Sequence, residues 1–219
     1  MADWGVLLTT DNGAPFITPQ SIPLALYSKK SVTFSGGIII TETFPAGRPV
    51  IPFVCCTVSC CTSYTVSGNT CTVTFANAAG QGTAHVYFFT IFPQTLPDWG
   101  IAAWDEKGTC ILTNETRVLT DIESIGTSGS DATGGFNINT TRTGKYGIVP
   151  SMSGLATGVI SSGGTRPYSS QYFFCATWNG NSTVITSATT NGPPPSGTIN
   201  VVYHNMRNQV YALNLASYD

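Results

Sequence analysis

The opening of this chain returns later in the same chain. Asp3-Trp4-Gly5-Val6 recurs as Asp98-Trp99-Gly100-Ile101, a separation of 95 residues. The same separation carries Gly13 onto Gly108, Ile17-Thr18 onto Leu112-Thr113, Ser21 onto Thr116 and Leu24 onto Leu119. With small gaps, Gly47-Arg48 ahead of Ile51-Pro52 is echoed by Gly144-Lys145 ahead of Val149-Pro150. Val86-Tyr87-Phe88-Phe89 is echoed by Gln171-Tyr172-Phe173-Phe174. Blocks that keep their order at a spacing of roughly 90 residues indicate a duplicated domain, not a short-period solenoid. Pro93-Gln94-Thr95-Leu96-Pro97 is a proline-bracketed polar stretch of the kind found at domain junctions. The organisation expected is one domain over 1–95 and a second, with longer loops, over 96–219.

Short β-type runs fill both spans. Cys71-Thr72-Val73-Thr74-Phe75 alternates apolar with polar, the period of a half-buried strand. Similar runs are expected at 31–34, 37–44, 50–66, 84–92, 168–178, 182–188, 198–203 and 209–215. Val66-Ser67-Gly68-Asn69-Thr70 reads as a hairpin turn, because Gly and Asn tolerate positive φ. Asp11-Asn12-Gly13 and Glu106-Lys107-Gly108 read as turns for the same reason. Helical signal is confined to one turn at 120–125, and the Gly-rich stretches at 126–135 and 154–164 read as loops. Many short strands separated by Gly, Pro and Asn predict an all-β fold of two tandem related antiparallel β-sandwich domains.

Only 9% of residues are charged, against about 25% in an average globular protein, while 42% are hydrophobic. Such a chain folds, and its surface is built from Ser, Thr, Asn, Gln and Gly. A polar, weakly charged surface suits packing against other subunits. The net charge is −2, with no basic stripe to neutralise phosphates, so no nucleic-acid partner is expected. Lys29-Lys30, the one basic pair, reads as a solvated turn. The N-terminus lacks a basic segment followed by an apolar run. The longest apolar-rich stretch, 86–92, falls far short of the ~20 residues of a spanning helix. A soluble chain made in a cytoplasm, without membrane insertion, is the expectation.

Cysteine is the most conspicuous candidate for chemistry. Of seven, four form a Cys-Cys-x3-Cys-Cys cluster, Cys55, Cys56, Cys60 and Cys61, within the run at 50–66. On a continuous strand Cys56 and Cys60 share one face at ~13 Å separation, with Cys55 and Cys61 on the other face. No single zinc ion gathers four thiolates across that span unless the segment bends. If the hairpin turns at Gly68-Asn69, Val66 faces Cys71, which leaves Cys71 too far from Cys60 and Cys61 for a disulfide. The four read as small buried apolar side chains, and as the candidates for a disulfide within the chain or between subunits.

Histidine contributes little: His85 and His204 have no Cys or carboxylate at a recurring spacing. There is no Gly-x-Ser-x-Gly and no phosphate-binding loop. No catalytic residue, cofactor or metal is therefore assigned. Trp4 and Trp99, equivalent in the two copies, read as buried packing residues whose neighbouring Asp takes the indole N–H. The candidates for recognition are Tyr168, Tyr172 and Trp178, which flank the second span's loops, and Pro193, Pro194 and Pro195 within one of them.

Trp4-Gly5-Val6-Leu7-Leu8 through Asn12-Gly13, then Ile17-Thr18 and Pro23-Leu24-Ala25-Leu26, resembles the opening of small tail-associated structural proteins of tailed bacteriophages. Trp99-Gly100-Ile101 through Lys107-Gly108, then Ile111-Leu112-Thr113 and Arg117-Val118-Leu119, resembles the same opening. The resemblance covers roughly the first 25 residues of each copy and carries over no catalytic residue. It implies a structural virion protein of the tail tip, baseplate or fibre, assembled in the host cytoplasm. Its expected partners are itself, as a homo-oligomer, and other virion tail proteins. The alternatives are a receptor-binding module, whose second-span loops meet a host surface receptor, and a secreted glycan-binding β-sandwich protein.

Overall fold

The computed structural model describes residues 22–127 and 138–219, with the backbone of two short strands upstream, β1 (Leu8–Thr9) and β2 (Pro15–Ile17). The first span continues with β3 (Ala25–Ser35), β4 (Ile38–Thr43), β5 (Val50–Cys56), β6 (Cys61–Ser67), β7 (Thr70–Ala76) and β8 (Gln81–Thr90). The second begins with β9 (Ala102–Trp104), β10 (Cys110–Thr113), β11 (Glu123–Gly126), β12 (Thr140–Thr143) and β13 (Tyr146–Ile148). It ends with β14 (Met152–Ile160), β15 (Arg166–Trp178), β16 (Ser182–Thr189), β17 (Thr198–Asn205) and β18 (Gln209–Asn214). The only helical element among the described residues is a 3-10 turn at Ala216–Tyr218. No helix among them is long and apolar enough to cross a membrane.

Local sequence accounts for the strands directly. In β7, Cys71, Val73 and Phe75 are buried while the intervening Thr residues are half-exposed, and β-branched side chains suit that pleated surface. The β6–β7 hairpin turns where expected, with Ser67 opposite Thr70, Val66 opposite Cys71, and Gly68 at φ +59°.

Strand pairing follows one pattern in both spans. In the first, β8 lies between β3 and β5, and β7 lies between β4 and β6 in a second sheet. In the second, β18 lies between β11 and β13, while β16 lies between β12 and β15. Here β15 is extended by β14 and β17. Each span opens on a two-stranded ladder in the same register: Leu8 pairs with Ile17 and Thr9 with Pro15, while Ala103 pairs with Leu112 and Trp104 with Cys110.

The spans 1–95 and 96–219 share both sheet and core. Central strand β5 pairs antiparallel with β13 at Val54 and Ile148, and parallel with β15 at Cys56 and Thr177. Near the start of each span, Ala25 bridges Val118, and Leu119 N donates to Leu24 O at 2.8 Å. One apolar cluster joins Phe53, Val54, Phe88 and Phe89 to Ile148, Phe174, Ile185 and Leu213. Each such side chain contributes ~1.5–3 kcal/mol when fully buried, so this shared core is the principal cohesion between the spans.

Four expectations are corrected. The run at 50–66 is two strands, broken by a bend at 57–60. The turn expected as helical at 120–125 ends in β11, which pairs with β18. Much of the Gly-rich stretch at 154–164 is β14, paired on both sides by β15 and β17. Lys29 and Lys30 lie within β3, where Lys29 pairs with Asp219 and Lys30 with Glu42.

Candidate functional site

Two of the residues singled out for recognition are buried. Tyr168 and Tyr172 on β15 are buried with Ala156 and Ile160 of β14, and Tyr203 of β17 packs against them. Cross-strand pairing sets Gly158 opposite Tyr168 and Gly154 opposite Tyr172. The Tyr168 hydroxyl donates to Gly192 O at 2.7 Å and ties down the proline loop. Pro193 and Pro195 are exposed and Pro194 is half-buried. Trp178 is half-buried, edge-on to His85 at 5.8 Å, with Lys145 Nζ 5.0 Å from its ring centroid. Of the six, Pro193 and Pro195 are the most open to solvent. Trp99 overturns its packing assignment, being 82% exposed. Trp4 lies outside the described residues.

The cysteines come together in a way that strand alternation excludes. Because the chain bends after β5, Cys56 Sγ and Cys60 Sγ lie 2.9 Å apart. Cys56 Sγ also donates to Val58 O at 2.8 Å, which holds the bend closed on itself. From β15, Cys175 Sγ accepts the Cys60 N–H at 3.4 Å and lies 3.4 Å from Thr177 Oγ1. The thiols of Cys56 and Cys60 also lie within hydrogen-bonding reach of Cys175 Sγ. These donors favour a thiolate on Cys175 and pull its pKa well down, while Cys56 and Cys60 are pushed up. Burial pushes Cys55 up to about 12, and Cys61 and Cys71 each to about 11. Although the bend that a zinc site would require is present, no three His, Cys, Asp or Glu among the described residues are arranged to hold a metal ion.

A polar network crosses the same seam. Tyr87 of β8 is fully buried, and its hydroxyl donates to the Asp219 carboxylate. Lys145 Nζ donates to Tyr87 Oη at 2.7 Å and to Asp219 Oδ1 at 3.1 Å. Lys29 Nζ donates to Asp219 Oδ1 at 2.7 Å, and Arg117 Nη1 to Tyr218 O at 2.9 Å. Burial works against the Asp219 charge, but these donors outweigh it and hold the carboxyl near 2. Burial, reinforced by the Lys145 charge, lowers His85 to about 4. The His85 ring meets Ser31 Oγ through Nδ1 at 2.8 Å across the β3–β8 ladder. Sequence reading passed over this network because its members are spread from Lys29 to Asp219. The available signal was scarcity: only 9% of residues are charged, so each charged side chain has few others to pair with.

The last feature is a set of exposed apolar side chains. Leu96, Trp99, Ile101 and Trp104, on and beside β9, are all more than half exposed. Ile199, Val202 and Met206 form a second exposed set on and after β17, the outermost strand of its sheet. Against protein-family models, curated proteins and solved structures, the chain finds no match.

Proposed function

We propose that this chain is a duplicated β-sandwich unit fused into one body, serving as a structural subunit of a tailed-bacteriophage virion near the tail tip, baseplate or fibre. The observation that carries the reading is the exposure of Leu96, Trp99, Ile101 and Trp104, close together in the sequence of a chain poor in charge. Two indole rings left largely in water represent unburied apolar area, and a neighbouring subunit is the natural cover for it. The open edge of β17 offers a second place for another chain to add. The tail-protein resemblance at residues 4–26 and 99–119 supplies the class of assembly. The repeated strand order supports the duplication. Antiparallel pairing of β5 with β13 suits two copies related by an approximate two-fold.

Immunogold labelling of purified virions with an antibody to this chain tests the assignment. Gold at tail ends supports it, whereas unlabelled particles with the chain left free in the lysate contradict it. Host attachment is the second reading, favoured by the exposed ring of Trp99 and the exposed Pro193 and Pro195, not by the buried Tyr168 and Tyr172. It requires glycan or host-cell binding that is lost in Trp99→Ala.

A further inference from the structure

We infer that Cys56 and Cys60 form a redox-switchable disulfide that locks the β5–β6 bend. The two sulfurs are already 2.9 Å apart, and a covalent bond at about 2.0 Å needs only a small movement of the side chains. Cys56 and Cys60 flank one bend, whereas Cys175, whose sulfur meets both thiols and the Cys60 N–H, lies on a separate strand, β15. Cys71 is held away by the register of β7, opposite Val66. The bend is the point where the chain leaves β5 in one sheet and enters β6 in the other. A link across it fixes the crossing between the two layers.

The oxidant is a low-molecular-weight disulfide. Thr57 and Ser59 are exposed, so local opening of the bend admits it without unfolding the sheets. Opening of the bend frees Cys56 from the buried contacts that keep its thiol protonated; the thiol gives its proton to solvent, and the thiolate attacks one sulfur of the reagent, forming a mixed disulfide and releasing one small thiolate. The Cys60 thiolate then attacks the Cys56 sulfur and displaces the second. Two protein thiols lose two electrons and two protons, and the reagent leaves as two thiols. Cys175 stays reduced, with its sulfur still facing the Cys60 amide. A chain that folds reduced in a cytoplasm is thereby locked on entering an oxidising medium. The lock does not depend on what the chain assembles into.

The test uses the full chain, incubated with oxidised glutathione, denatured, alkylated with iodoacetamide and mapped by peptide mass spectrometry. Of the seven thiols, all buried in the fold, five are expected to be alkylated, and one peptide should carry a Cys56–Cys60 link. Reduction should return all seven to alkylation and lower the thermal midpoint. Cys71→Ser should keep the link, and Cys60→Ser should leave every remaining thiol reactive. Seven alkylated thiols after oxidation, a link to Cys175 in place of Cys60, or stoichiometric metal in the purified chain would each overturn the inference. The wild-type map decides the matter even if a cysteine variant fails to fold.

Discussion

Tyr87 sits at the meeting point of two lysines and a carboxylate. Replacing it with Phe keeps the ring and removes a donor to Asp219 and an acceptor for Lys145. Hydrogen bonds to charged groups are worth ~1.5–3 kcal/mol each, so Tyr87→Phe is expected to destabilise by about that amount in urea unfolding. The same region sets the response to acid. His85 titrates near 4 when folded against 6.5 for the free side chain, so the unfolded chain takes up a proton that the folded one refuses. Stability contributed by His85 is complete above pH 6.5 and is lost as pH falls toward 4. Asp219 adds a second loss at lower pH, from its ordinary 3.8 down to about 2. Urea midpoints between pH 7 and 4 should fall in the wild type and flatten in His85→Gln; an unchanged slope in the variant would refute the assignment.

At the scale of elements, what was legible in the sequence followed local periodicity. β7 and its hairpin were readable because alternation and a Gly-Asn turn are local signals. The bend at 57–60 was not, since Thr57-Val58-Ser59 contains no Gly, Pro, Asn or Asp. It is set by tertiary partners: Thr57 N donates to Thr83 O, Thr83 N donates to Thr57 Oγ1, and Gly82 leaves room for Val58. That one unread bend is why strand spacing placed two thiols ~13 Å apart that in fact touch. β14 was misread for a related reason. Its glycines look like loop residues, yet at Gly158 a Cβ would stand 2.8 Å from Thr198 Cγ2 on β17. A Cβ at Gly82 would stand 2.5 Å from Val58 Cγ2. Gly82→Ala is therefore expected to destabilise by ~1–3 kcal/mol, as overpacking does, and to be partly rescued by Val58→Ala. Additive losses in the double variant would show that the two residues do not meet.

Across the whole molecule, the strand pairing within 22–95 has a counterpart within 96–219, and one sheet and one core run through both. β5, β13 and β15 join the spans in one sheet, and Phe53, Phe89, Phe174 and Leu213 share one cluster. Cutting between them would expose that core, so neither 1–95 nor 96–219 is expected to give a cooperative unfolding transition alone. The intact chain should unfold in one. Two separate calorimetric transitions would argue for independent domains. The recognition residues were the least legible part, because a Tyr beside a Gly-rich stretch reads alike whether it faces a ligand or covers a glycine across the ladder. The apolar surface at Trp99 and Trp104 emerged only from the fold, since the sequence marked Trp99 for burial. Whether that surface is covered by another subunit is the centre of the functional proposal. Light scattering on the purified chain at micromolar concentration, with and without reductant, measures it directly. The expected mass is a fixed multiple of 23.1 kDa, unchanged by reductant and lowered to the single chain by Trp99→Ser with Trp104→Ser. A 23.1 kDa monomer at every concentration would contradict it.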